Sequence, residues 1–153
     1  MSLAQPRAPS FAFARDPQFA LALAAGPIAW LAAAAVLNVA PKPAWVLSDP
    51  LRYASLALAW PLVEEWVFRG ALQPALARTD WGARGAWGVS TANVATSIVF
   101  ASAHALAHTP AWAAATFVPS LVFGYFRDRH ATYAPSIALH VFYNAGWFLL
   151  LTA

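Results

Sequence analysis

The chain has 153 residues, 61% of them hydrophobic and 10% charged, against the roughly 25% charge of ordinary soluble domains. A water-soluble globular fold of the usual kind is excluded, and the net charge of +3 sits in clusters between apolar stretches, so no nucleic-acid partner is expected. There is no cysteine, which excludes disulfides, thiol catalysis and thiolate metal sites.

In chain order, residues 1–18 read as an N-terminal interfacial tail. Met1 to Asp16 carry Arg7, Arg15 and prolines but no apolar core ahead of a cleavage site. Residues 19–153 read as one all-α domain, a polytopic membrane helix bundle. A hydrocarbon core of about 30 Å needs about 20 helical residues, and about five such stretches can be drawn: Phe19–Val39, Tyr53–Ala77, Thr91–His108, Ala111–Phe126 and Tyr133–Leu150. Between them lie loop chemistries: Pro41 to Arg52, Arg78 to Ser90 with Gly82, Gly85 and Gly88, the turn His108-Thr109-Pro110, and Arg127 to His130. Arg7, Arg15, Arg78, Arg84, Arg127 and Arg129 fall on one side against Lys42 and Arg52 on the other. That asymmetry predicts a cytoplasmic N-terminus.

The second stretch is the informative one, because Glu64, Glu65 and Arg69 lie near its middle. Three such residues cost roughly 8 to 10 kcal/mol on insertion, while the Leu, Val and Phe of the stretch return roughly 2.4 to 4.8 kcal/mol. These groups therefore line a polar space between helices, or the segment is partly re-entrant. At 100° per residue, Glu65 and Arg69 lie about 40° apart and can pair, whereas Glu64 points about 100° away and is left without a local partner. A desolvated carboxylate with no local counter-charge is a candidate general base.

Two further helices carry polar residues at the same spacing. Phe100 and His104 share a face of the third stretch, and His104, about 20 Å in from Thr91, lies at a depth similar to Glu64. His140 and Asn144 share a face of the fifth and offer donors suited to a developing oxyanion. Each pair alone is equally well read as packing glue between helices; three of them at compatible depth point to a site.

The ordered set Glu64-Glu65-x-x-x-Arg69, Phe100-x-x-x-His104 and His140-x-x-x-Asn144 resembles the successive motifs of the CAAX protease and bacteriocin-processing family of intramembrane glutamate proteases, over roughly Trp60 to Trp147. The resemblance implies that Glu64 activates the hydrolytic water with help from His104, that His140 and Asn144 support the oxyanion, and that Glu65, Arg69 and Phe100 support the site. It implies no metal and no cofactor. The implied partners are the lipid bilayer and a membrane-anchored protein or peptide substrate, cleaved near a C-terminal anchor or sorting signal. The eukaryotic prenyl-protein endopeptidases of the family have more spans, so this chain reads as close to a minimal core, and its composition resembles members of the bacterial inner membrane. Two alternatives stay open: a zinc-dependent membrane peptidase using His104, His108, His140 and the glutamates, and a non-catalytic immunity or scaffold protein that keeps the fold.

Overall fold

The computed structural model describes residues 11–40 and 43–151; Arg7, Lys42 and the first ten residues of the expected tail lie outside them. A 3-10 helix over Phe11–Arg15 leads into α1 (Pro17–Leu37). Asp16 starts that helix by accepting the amide of Gln18 at 3.0 Å, with Pro17 in the first turn. Asn38 ends it in the left-handed conformation at φ 52°. The expected loop before residue 52 contains two short helices, α2 (Trp45–Ser48) and α3 (Pro50–Ala54). The local reason is Asp49, which accepts the amide of Arg52 at 3.1 Å and is followed by proline.

From α3 the chain continues as one composite rod: a π-helical turn over Ser55–Ala59, α4 (Trp60–Glu65), a second π-helical turn over Trp66–Leu72, and α5 (Gln73–Ala77). The segment expected as a glycine-rich loop holds a small antiparallel hairpin, β1 (Gly85–Ala86) with β2 (Val89–Ser90), paired Gly85 to Ser90 and Ala86 to Val89. Its two-residue turn, Trp87 at φ 52° and Gly88 at φ 81°, is the mirror-image type that matches strand twist. Gly88 suits the position twice over, since a Cβ there would sit 2.8 Å from the Tyr125 ring.

Ser90 then caps α6 (Thr91–His104). This helix stops four residues before the expected His108, and its 14 residues reach about 21 Å. Pro110 disfavours helix at the residue before it, and Thr109 instead caps α7 (Pro110–His130) by accepting the Trp112 amide. That helix continues through Arg127 to His130, expected as a loop. Its last turn carries Arg127, Arg129 and His130, which favour the negative end of the helix dipole. After Ala131 at φ 53°, α8 runs Ala134–Leu151.

The five rods alternate in direction. The Asp16 end of α1, the Ser90 end of α6 and the C-terminal end of α7 share one end of the molecule, joined by Arg129 on Asp16 and Ser90 on Asp128. At the other end the Trp45 indole donates to the Phe148 carbonyl and the Tyr53 hydroxyl to that of Ala145. A hydrophobic core of four phenylalanines, Phe13, Phe19, Phe123 and Phe126, with Leu139 ties the first helical turn, α1, α7 and α8 together. Two helices, α1 and α8, are long and apolar enough to cross a membrane by length and composition.

Polarity is inverted relative to a soluble protein. Glu65, Arg69, Gln73, Asn93, Thr96, Ser97, Ser120 and Ser136 are fully buried, while Leu21, Ile28, Leu31, Leu58, Trp60, Val63 and Trp66 are exposed. An apolar exterior around a hydrogen-bonded polar interior is what a hydrocarbon solvent selects.

Candidate active site

The polar interior is built on the composite rod, where Glu65, Arg69 and Gln73 recur every four residues and so form one stripe turned toward α7 and α8. Arg69 Nη1 donates to Glu65 Oε1 at 3.2 Å, and Nη2 donates to the Ser120 carbonyl at 2.8 Å and its hydroxyl at 2.5 Å. The guanidinium also lies over the rings of Phe100 and Phe123, 4.8 and 5.6 Å from their centroids. One turn on, Gln73 Nε2 donates to the Gly124 carbonyl at 2.9 Å. The 3.2 Å contact of Arg69 with Glu65 matches the four-residue spacing of the pair.

Close helix approach makes these reaches possible. A Cβ on Gly124 would fall 1.9 Å from Asn93 Oδ1, and Asn93 in turn donates to the Leu121 carbonyl at 3.0 Å. Ser120, Gln73 and Asn93 are therefore working members of the interior that the motif pattern does not single out. The signal for them was present: each is a polar residue inside an otherwise apolar stretch, and Gln73 continues the four-residue stripe.

His140 stands between the two glutamates. Its Nδ1 lies 2.8 Å from Glu65 Oε1 and its Nε2 lies 3.5 Å from Glu64 Oε2. A carboxylate only accepts, so Nδ1 carries a proton and points it at Glu65. The ring is stacked on Phe123, with centroids 4.7 Å apart. Because Nδ1 is committed to Glu65, Nε2 is the ring nitrogen that faces Glu64.

The adjacent carboxylates thus differ sharply. The Glu65 side chain is 0% exposed and held by Arg69 and His140, while that of Glu64 is 24% exposed. His104, the last residue of α6, donates Nδ1–H to the Phe100 carbonyl at 2.9 Å, so Nε2 is the nitrogen outside that bond. Phe100 lies beneath it, centroids 4.5 Å apart, and also touches His140 at 5.8 Å. Glu64 lies in the electrostatic field of His140, His104 and Arg69.

Asn144 is engaged elsewhere: its Nδ2 donates to the Leu56 carbonyl at 3.1 Å. The structure therefore brings Glu64, Glu65, Arg69, Phe100 and His140 into one cluster, sets His104 at its edge, and ties Asn144 to the first π-helical turn. His108 is exposed and stacks on His104 at 6.0 Å. Among the described residues no three of His, Asp and Glu are arranged to hold a metal ion. Two clefts of about 390 and 410 Å³ near the hairpin contain none of these residues.

Compared with known families, residues 45–146 match the model described as type II CAAX prenyl endopeptidase Rce1-like, which takes in α2 through most of α8 and leaves out α1. No curated protein and no solved structure matches the chain.

Proposed function

The chain belongs to the Rce1-like family of type II CAAX prenyl endopeptidases, and from that premise we propose that it is an intramembrane endopeptidase in which Glu64 activates water against a peptide bond of a membrane-anchored protein. The observation that carries the assignment to Glu64 is the unequal environment of two neighbouring carboxylates. Glu65 is closed off and doubly engaged, whereas Glu64 is reachable and has one oxygen near His140.

In the proposed reaction Glu64 takes a proton from water as the oxygen adds to the scissile carbonyl carbon, with Nε2 of His104 orienting that water. Negative charge then develops on the carbonyl oxygen, where His140 and the second N–H of Asn144 are the donors in reach of the same helix face. Collapse breaks the C–N bond, and the proton held by Glu64 passes to the leaving amine. No metal or cofactor takes part in this scheme. The glutamates sit near the middle of the rods, so the bond cleaved lies within a substrate's membrane-associated segment, near a C-terminal anchor or sorting signal.

Five crossings of a bacterial inner membrane with a cytoplasmic N-terminus complete the reading. Its support is that Arg15, Arg127, Arg129 and the Arg78–Ser90 segment gather at one end, with Arg52 at the other. A cysteine placed at Thr132 should be labelled only after the membrane is made permeable from the cytoplasmic face; labelling from outside reverses the topology.

The decisive test uses two isosteric variants on the purified chain with membrane-anchored peptide substrates. Glu64→Gln should lose turnover by orders of magnitude while still binding substrate. Full activity in a folded Glu64→Gln protein, or a dead Glu65→Gln protein beside an active Glu64→Gln one, removes Glu64 as the base. A folded parent that cleaves none of the substrates favours the scaffold alternative.

A further inference from the structure

Both π-helical turns of the composite rod run into a proline. In the first turn the amide of Trp60 donates to the Ser55 carbonyl, five residues back. The next bond in that register joins residue 61 to the Leu56 carbonyl, and Pro61 has no N–H. In the second, the amide of Gln73 donates to the Phe68 carbonyl, and the next bond, from residue 74 to the Arg69 carbonyl, falls on Pro74. One carbonyl before Glu64 and one after Glu65 are thereby left without a helical donor. Each is met from another helix: Asn144 Nδ2 donates to Leu56 at 3.1 Å, and Arg127 Nε donates to Arg69 at 3.3 Å.

We propose that Asn144 and Arg127 are positioning residues that hold the two wide turns open by capping the carbonyls freed by Pro61 and Pro74, and so fix the rotation of Glu64 and Glu65 within the site. The reason lies in which carbonyl each register leaves unpaired. In α-helical register Pro61 frees the Ala57 carbonyl and Pro74 that of Gly70; in the wide register they free Leu56 and Arg69. A proline thus guarantees one unpaired carbonyl either way, and an unpaired carbonyl away from water is costly. Donors aimed at Leu56 and Arg69 favour the wide register. One residue more or less in a turn rotates everything beyond it by about 100°, enough to carry Glu64 from the His140 side of the rod to the exposed side. Arg127, which the sequence places in a charge cluster at the membrane surface, acquires a site-directed role by this argument, and Asn144 acquires one besides that of oxyanion donor.

The effect on turnover rests on the peptidase reading above; the effect on the fold does not. The test is a four-variant cycle for each cap and its proline, in the full chain, measuring thermal unfolding together with kcat and KM. Replacing the proline by alanine supplies the missing N–H, so the cap becomes dispensable. Arg127→Met should lower kcat about tenfold with KM within about twofold, and lower the unfolding temperature. In the Pro74→Ala background the loss of unfolding temperature should shrink to a third or less, because the new N–H pairs with whichever carbonyl is free. The Arg127–Asp128 contact at 3.3 Å is lost equally in both backgrounds and cancels. For Asn144→Leu, Pro61→Ala should restore the unfolding temperature but not the part of kcat due to an oxyanion donor. If Arg127→Met alone does not fold and the Pro74→Ala double variant does, the cap is supported. Equal losses of unfolding temperature in both backgrounds, or failure of both to fold, overturn it. A parent without peptidase activity removes the peptidase reading, and the cap then stands or falls on the unfolding cycle alone.

Discussion

Glu65 and Asp16 have partners of the same kind. Glu65 holds Arg69 at 3.2 Å and His140 at 2.8 Å; Asp16 holds Arg129 at 2.5 Å and His130 at 3.1 Å. One cluster is sealed among α4, α7 and α8, while the other closes the seam between the start of α1 and the end of α7, with Arg129 nearly half exposed. Chemistry alone does not separate them; solvation does. In the sealed cluster every lost partner leaves a charge that water cannot reach, so its members are locked and its neighbour Glu64 is presented at a fixed angle. In the outer cluster Asp16 is also buried, its side chain 5% exposed, but Arg129 at 43% and His130 at 18% open onto water, so a lost partner leaves room for solvent and the contacts serve as a clasp for the N-terminal turn.

The largest expected consequence is in stability. Arg69→Ala leaves Glu65 buried with only His140 beside it and should cost roughly 3 to 5 kcal/mol, read as thermal or denaturant unfolding in detergent. Arg129→Ala should cost far less, because Asp16 keeps His130 and gains water. Equal losses from the two arginines would break the comparison.

A smaller effect should sharpen it. The sealed cluster depends on backbone approach, since Gln73 and Asn93 reach α7 carbonyls across a gap that Gly124 leaves open. Gly124→Ala puts a methyl where Asn93 Oδ1 lies and should cost about 1 to 3 kcal/mol, with loss of activity at unchanged substrate affinity. The clasp involves no such approach, so the acid sensitivity described below should be the same in Gly124→Ala as in the parent.

Sequence spacing made the Glu65–Arg69 pair legible because an intrahelical contact needs only the helix period. It also placed Phe100 beside His104, which the ring contact and the Nδ1 bond to Phe100 reflect. Contacts between rods were out of reach. Nothing in the spacing of His140 tells that it lies between two glutamates 75 and 76 residues away, or that Asn144 meets Leu56. The prolines at 61 and 74 were visible, but a single sequence does not say whether a proline kinks a helix, ends it or widens it; that is decided by which side chain caps the freed carbonyl. The hairpin escaped for another reason. Trp87-Gly88 puts a bulky residue at φ 52° where Asn or Asp is usual, and its glycine neighbours read as loop. α7 runs past Phe126 to His130 because three basic groups in a last helical turn are favourable, so a charge cluster there does not mark a loop.

The smallest effect is a pH dependence that belongs to the clasp. The Arg129 side chain bonded to Asp16 holds that carboxyl below its ordinary value of 3.8, helped by the Gln18 amide and His130 and opposed by partial burial. A carboxyl whose pKa is lower folded than unfolded binds fewer protons in the folded state, so it adds stability that is complete above the ordinary value. That contribution fades as pH falls through 3.8 and is gone below the depressed folded value. Asp16→Asn removes the titration yet keeps an acceptor for the amide of Gln18, so the helix cap survives. Unfolding temperature measured from pH 7 down to pH 3 should therefore show the parent above Asp16→Asn at neutral pH and the two curves converging in acid. Salt should narrow the gap at pH 7, because Arg129 is open to counterions. A gap that stays constant with pH assigns the stabilisation to packing of Phe13 against the hydrophobic core instead of to charge, and the likeness between the two clusters would then be one of composition only.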